Sequence, residues 1–437
     1  MSIKILKLFS VMGVVLFVGG GQVVLAEDST GGYDVSKLGE IKTQFDEYYL
    51  DGRIPNYVFG LYSKDRLIYS ATNGRTKIDG GQDVNLNTIY WMASMTKPVV
   101  SAAIMKLVED GDLKLDDELS KFYPEFSDML VAPGGSYDNT LEEAKTPITL
   151  RHLISHTSGL TYGTGVTGVG DVARQYDEFG MMFCYGPGGK TLQEHIEVLA
   201  QLPLISHPGE AWNYSVGIDV LGAVIEKVKN QKLDVYLKEA FFEPLKMNNS
   251  GFFIPPEKRN IASRIYTSLD ASQITQEESS DGINWKIGPG RFYQMMESEE
   301  DIKPSNCASG GGGLLASVED FAMFLQMIAN GGTLHGNRVL KEETVALMFE
   351  DQTSTLLPEA FTRAFGEDVS SYMKFTAGFG MKMIEKEVDY FFWGGAANTF
   401  FWLDKANDSL GVFATQLAPS VYNVSDSIEE IVDQARL

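Results

Sequence analysis

Ser94 and Lys97 stand three residues apart in Ser94-Met95-Thr96-Lys97, a spacing that sets a hydroxyl and an amine on one face of a helical turn. A serine hydroxyl attacks a carbonyl readily only when a base takes its proton, and a neighbouring amine can be that base or can organise it. The flanks suit the placement: Thr88 to Met92 reads as extended, and Val99 to Glu109 reads as an apolar amphipathic helix stopped by Gly111. Serine followed by lysine at this spacing is also a common accident, so the pair draws its weight from its company.

Two further segments supply that company. Trp212-Asn213-Tyr214-Ser215-Val216-Gly217 follows Pro208-Gly209 and precedes a helix containing Leu221 and Val224. A tyrosine at such a loop-to-helix junction can project into a cleft and, beside a protonated lysine, is a candidate general base. A core tyrosine with a bonded hydroxyl is the plainer reading. Trp393-Gly394-Gly395-Ala396-Ala397 continues the strand-like Tyr390-Phe391-Phe392. Glycines in a strand admit another backbone or a ligand, which suits an edge strand whose amide donates to a substrate carbonyl, although a β-bulge or bend competes.

Sheet-forming chain ends and a helical middle must position these groups. Val35, Leu38, Ile41, Phe45 and Tyr48 recur at helical spacing until Asp51-Gly52, and Tyr57 to Ser63 and Arg66 to Ala71 alternate as paired strands. Near the other end, Phe379 to Ile384, Tyr390 to Trp393, Thr399 to Leu403 and Leu410 to Thr415 read as consecutive antiparallel strands before a closing helix, Ser425 to Ala435. Between them lie helical segments near Leu150 to Ser155, Leu192 to Gln201, Ile218 to Lys229 and Leu233 to Phe242, and Ser317-Val318-Glu319-Asp320 opens another with a capping-box-like start. The expected division is a sheet domain from 34–98 and 305–437, with 99–304 inserted as a mainly helical domain and a cleft at their junction.

The 437 residues, 44% of them apolar, suffice for a large core. Residues 1–26 read as a secretory signal: Lys4 and Lys7, the apolar Leu8 to Val18, then Val24-Leu25-Ala26 before a mature start at Glu27. Gly19-Gly20-Gly21 interrupts the apolar run before it reaches spanning length, so an exported chain, periplasmic or secreted, with no stable membrane span is expected. Loss of Lys4 and Lys7 with the signal takes the net charge from −23 to −25, a balance that argues against nucleic acid or anionic membranes as partners. Cys184 and Cys307 are too few for a disulfide framework; two buried thiols are favoured over a single bridge. The five histidines show no metal-binding spacing, so neither metal nor other cofactor is expected. Gly163-Thr164-Gly165-Val166-Thr167-Gly168 fits a dinucleotide fingerprint in letters only, because no strand precedes it.

Taken in order, Ser94-x-x-Lys97, Leu153-Ile154-Ser155-His156-Thr157-Ser158-Gly159-Leu160, Pro208-Gly209-x-x-x-x-Tyr214-Ser215, Gly310-Gly311-Gly312-Gly313-Leu314 and Trp393-Gly394-Gly395 resemble the signature of the serine β-lactamase superfamily. The resemblance is closest to class C β-lactamases, D,D-peptidases and family VIII carboxylesterases, and spans nearly all of the chain after Val35. It implies an α/β (α+β) fold, an antiparallel sheet flanked by helices with a helical insert. It also implies that Ser94 is the acylated nucleophile, Lys97 its proton-accepting partner and Tyr214 the base serving the leaving group. The backbone amides of Ser94 and Ala396 match the oxyanion hole. His156 falls in a segment that looks structural in the family, and there is no Gly-x-Ser-x-Gly elbow of an α/β-hydrolase.

Two departures bear on substrate. Penicillin-recognising relatives carry Lys-Thr-Gly where this chain has Trp393-Gly394-Gly395, and Asn where it has Val216. Both changes make the substrate-binding surface at Trp393, Gly394, Gly395 and Val216 more apolar, which favours small neutral esters. Met181, Met182, Phe183 and Tyr185 are candidates for an adaptable apolar wall. The rival reactions are amide cleavage by a β-lactamase or D-amino-acid peptidase, and the rival class is a non-catalytic binder of cell-wall fragments. Retention of Ser94, Lys97 and Tyr214 together speaks against the binder.

Overall fold

The computed structural model describes residues 14–18, 21–25, 32–78, 80–138, 140–164, 166–180, 184, 190–268, 285–287, 307–353, 372–418 and 425–437. Among them the two chain ends meet in one nine-stranded antiparallel sheet. From one edge its strands run Val14–Val18, Gly21–Leu25, Leu67–Gly74, Asn56–Tyr62, Ser409–Ala414, Thr399–Asp404, Glu387–Gly395, Gly380–Ile384 and Met373–Phe375. The seam is the pairing of Asn56–Tyr62 with Ser409–Ala414, Phe59 opposite Phe413. The first two strands from that edge, Val14–Val18 and Gly21–Leu25, come from the segment read as a secretory signal.

Alternation along these strands feeds two faces. Phe400 and Trp402 point to one, with Tyr57, Phe59, Leu61 and Phe413, while Phe401, Leu403, Leu410 and Val412 point to the other. The first face is covered by the helices Val35–Leu50 and Ser425–Ala435 through Leu38, Ile41, Phe45, Ile428 and Val432. Full burial of each such side chain contributes roughly 1.5–3 kcal/mol. Asp34 starts the first of these helices by accepting from the amides of Ser36 and Lys37. The second face receives Val318–Ala329, capped by Ser317 accepting from the Asp320 amide, and Thr96–Asp110, buried nearly all round and ended by Gly111 at φ 79°.

The middle of the chain packs onto that second side. Helices Leu150–Ile154, Leu192–Leu199 and Gly217–Lys229 share the larger core with Thr96–Asp110. Ile89–Trp91, the expected extended run before Ser94, pairs not with the main sheet but with Leu315–Ser317. The Trp393 segment refines its expectation as an edge. Glu387–Gly395 is paired on one side throughout Phe391 to Gly395, but on the other its pairing ends at Phe392 opposite Gly380. Trp393, Gly394 and Gly395 therefore extend past the end of the neighbouring strand Gly380–Ile384.

The cysteines correct the sequence reading. Cys184 and Cys307 form a disulfide across 123 residues of sequence, with their Cα atoms 5.1 Å apart. Two cysteines give no pairing pattern in sequence; the fold brings them together. Met181, Met182, Phe183 and Tyr185 lie outside the described residues.

Candidate active site

Ser94 sits in a 3₁₀ turn, Ala93–Met95, that runs directly into the helix Thr96–Asp110. Ala93 holds a left-handed φ of 47°, a conformation that costs a non-glycine residue on the order of 1 kcal/mol or more. Its surroundings enforce it: the Thr96 hydroxyl donates to the Ala93 carbonyl at 2.6 Å, and the Met92 amide donates to the Leu314 carbonyl at 2.9 Å. The turn presents Ser94, partly exposed, at the head of the buried helix.

Lys97 is fully buried. Its Nζ lies 3.2 Å from Ser94 Oγ and donates to the Gly311 carbonyl at 2.6 Å. It also lies 4.5 Å from the centroid of the Tyr214 ring and 5.4 Å from that of Tyr162, within cation–π range. At that distance Nζ and Ser94 Oγ can exchange a proton, and an ammonium there is held by a carbonyl and two ring faces.

Tyr214 occupies the expected junction just ahead of Gly217–Lys229. Its ring packs among His156 at 4.9 Å, Tyr162 at 5.2 Å, Trp393 at 5.6 Å and Trp212 at 6.1 Å. Phe375 closes the cluster against Trp393 at 5.2 Å and His156 at 5.2 Å. His156 accepts from the Ser215 amide through Nδ1 at 3.3 Å, so the neutral ring carries its proton on Nε2. Burial, then the Lys97 charge, hold its pKa well below the usual histidine value. A buried neutral imidazole with its lone pair engaged is a support for the Tyr214 loop.

Trp393 is only 3% exposed and contributes its ring to this wall. Gly395 approaches the Ser94 turn so closely that a Cβ there would stand 2.4 Å from the Met92 carbonyl oxygen and 3.1 Å from the Ala93 Cβ. That contact brings the exposed turn residue Ala396 beside the Ser94 turn. Val216 is different. Its side chain is fully buried in the larger core, beneath the Tyr214 loop, and offers no surface to a substrate.

Several residues of this centre escaped sequence reasoning. Asp219, 2% exposed, accepts from the Ser309 hydroxyl at 2.6 Å and the Gly311 amide at 2.9 Å. Burial pushes its carboxyl pKa up, and the Lys97 charge and these donors pull it partly back. The Trp91 indole donates to the Gly312 carbonyl at 2.6 Å. Gln416 clamps the Trp91 backbone, accepting from its amide and donating to its carbonyl, both at 3.1 Å. The glycine run was a visible signal; its partners, more than 90 positions away in sequence, were not. Among the described residues no cluster of metal-ligating side chains occurs.

A serine turn bonded to a buried lysine, on an antiparallel sheet with helices on both sides, defines the class of serine hydrolases built on the β-lactamase fold. The chain belongs to the beta-lactamase family, whose model matches residues 38–434, and it is an enzyme of the serine hydrolase type. Esterase EstB of Burkholderia gladioli is 29% identical over 293 residues, covering 66% of this chain and 70% of that one. Lovastatin esterase of Penicillium rubens is 27% identical over 364 residues, 79% and 84% of the two chains. Among solved structures EstCE1, a hydrolase with promiscuous acyltransferase activity, superposes with a TM-score of 0.71 at 22% identity over 92% of this chain and 97% of its own.

Proposed function

We propose that this chain is an exported carboxylesterase that cleaves small neutral esters through an acyl-serine intermediate. Ser94 Oγ attacks the ester carbonyl as its proton passes to Lys97, and Tyr214 relays that proton toward the leaving group. The amides of Ser94 and Ala396 stabilise the oxyanion, the alcohol leaves with the proton returned by Tyr214, and water then enters by the same route to release the acid.

The observation that carries the substrate class is Trp393, a buried indole packed on Tyr214 and Phe375 where penicillin-recognising relatives place a lysine. An apolar wall there gives an anionic lactam or peptide carboxylate no counter-charge, whereas a neutral ester needs none. The esterase names of two relatives support the same reading. The chain is expected to be exported after removal of residues 1–26, and N-terminal sequencing of secreted protein should begin at Glu27.

The test is hydrolysis of p-nitrophenyl butyrate and of a chromogenic cephalosporin, side by side, by the mature chain and Ser94→Ala. Ester turnover that vanishes in the variant, with little lactam turnover, is the expected result. Strong Ser94-dependent lactam turnover would overturn the substrate assignment and keep the nucleophile.

A further inference from the structure

We infer that Asp219 is a positioning residue of the reaction: it fixes the Gly311 backbone that holds Lys97 against Ser94, and it balances the ammonium that Lys97 becomes. The inference rests on Lys97 being the proton carrier proposed above.

The connection is direct. Asp219 Oδ1 accepts from the amide of Gly311, and the carbonyl of that same residue accepts from Lys97 Nζ. One glycine thus has the carboxylate on its N–H and the lysine on its C=O. A lysine side chain has many rotamers; the 2.6 Å bond to Gly311 selects one that leaves Nζ 3.2 Å from Ser94 Oγ. Movement of Gly311 would carry the amine away from the nucleophile.

The loop is shaped to the carboxylate. A Cβ at Gly311 would stand 2.2 Å from Asp219 Oδ2, and one at Gly310 would stand 2.6 Å from the Ile218 carbonyl oxygen. The glycines let the loop lie on the first turn of Gly217–Lys229, close enough to bond Asp219. Ser309, two residues before Gly311, bonds the same oxygen at 2.6 Å. Beyond Gly311 the loop is held at Gly312 by Trp91 and at the Leu314 amide by the Thr96 hydroxyl at 2.9 Å. Of these anchors only Asp219 is ionisable.

Whenever Lys97 carries the reaction's proton, a cation sits on a fully buried amine, and a buried cation without a counter-ion is costly. Tyr162 and Tyr214 face Lys97 with their rings. Asp219 is joined to Lys97 through the single residue Gly311, and its own carboxyl oxygen accepts from Ser309 and Gly311, so it does not draw Nζ away from Ser94.

The test compares wild type, Asp219→Ala, Asp219→Asn and Ser309→Ala in three measurements: thermal unfolding, p-nitrophenyl butyrate kinetics, and the rate of covalent labelling of Ser94 by a fluorophosphonate probe. Asp219→Ala is expected to lower both kcat and the labelling rate by about 100-fold with KM changed less than about threefold, the pattern of a group acting on the chemical step. Asp219→Asn keeps an acceptor for Gly311 without the charge, and is expected to recover roughly tenfold of that loss. Wild-type kcat and labelling in a folded Asp219→Ala would overturn the proposal, as would equal losses in Ala and Asn that track a fall in folded protein. Should neither Asp219 variant fold, Ser309→Ala decides, because loss of one donor that orients the carboxylate should slow labelling severalfold; an unchanged rate would overturn it. A wild-type enzyme that the probe does not label at Ser94 would instead overturn the catalytic assignment, and the role of Asp219 with it.

Discussion

The Thr399 hydroxyl donates to the main-chain carbonyl of Met92 at 3.0 Å, across 307 residues of sequence. Thr399 lies opposite Gly395 in the sheet, and Met92 is two residues before Ser94. This bond ties the strand end that presents Ala396 to the turn that presents Ser94. The two proposed oxyanion donors, from opposite ends of the chain, are held in one geometry by it.

Gly395 and Gly394 should therefore respond differently to alanine. A Cβ on Gly395 would meet Thr399 Oγ1 at 2.2 Å and the Met92 oxygen at 2.4 Å, whereas one on Gly394 would find its nearest neighbour at 3.4 Å. Gly395→Ala must push the strand end from the Ser94 turn, and displacing one oxyanion donor typically lowers kcat by about 10²–10³-fold. Gly394→Ala should fold normally and lose far less. Steady-state ester kinetics of the two variants check this, and equal kcat values would refute the coupling.

The bridge between Cys184 and Cys307 closes a long loop and anchors the chain two residues before Ser309. Replacing both cysteines by serine is expected to lower stability by about 2–5 kcal/mol. Urea unfolding of the double variant measures the loss. A thiol assay on denatured, unreduced wild type should find no free sulfhydryl; two would show that the bridge does not form.

Local signals in this sequence were legible because their physics is local. Gly111 stops the helix after Ser94 by adopting a left-handed conformation, and Ser317 starts the helix Val318–Ala329 by capping it. Tyr57 to Ser63 and Arg66 to Ala71 showed themselves by alternation, and the strands between Gly380 and Ala414 read as consecutive antiparallel runs. What could not be read is made by contacts between distant segments. Asp219 is one acidic residue in an apolar helix until the fold places Gly311 on it, and Phe375 is one more aromatic until it meets Trp393. Val216 misled because its sequence offset from Tyr214 suggested a place beside the substrate, while the helix that begins at Gly217 turns its side chain into the core.

Asp320 gives the stability of the fold a predictable dependence on pH. It is 3% exposed and accepts from the Asn249 amide at 2.6 Å and the Ser250 hydroxyl at 2.9 Å, yet burial raises its pKa to about 6. With the folded pKa above the unfolded one, the native state binds the proton more tightly. Its contribution is therefore fully present below the unfolded value near 4 and is lost as pH rises to about 6, a change of roughly 3 kcal/mol. Asp320→Asn removes the titration, so the difference in unfolding free energy between wild type and variant should move steadily against wild type from pH 4 to 6 and then level off. Urea unfolding at intervals across that window measures it, and a constant difference would rule out the shift.

Trp393 carries both a structural and a substrate argument, and two substitutions separate them. Its ring is buried against Tyr214, Phe375 and Phe392. Trp393→Ala opens a cavity behind the proposed base and should lower stability by about 3–5 kcal/mol. Trp393→Phe keeps an aromatic face there and should cost appreciably less. If the ring fixes Tyr214, ester kcat per folded molecule should fall in Trp393→Ala and largely survive in Trp393→Phe, with the ratio of ester to cephalosporin turnover preserved in the latter. Thermal unfolding and paired kinetics on both substrates test this. A folded Trp393→Ala with undiminished ester kcat would mean that Tyr214 is held by His156, Tyr162 and Trp212 alone, and that the indole acts only as a wall.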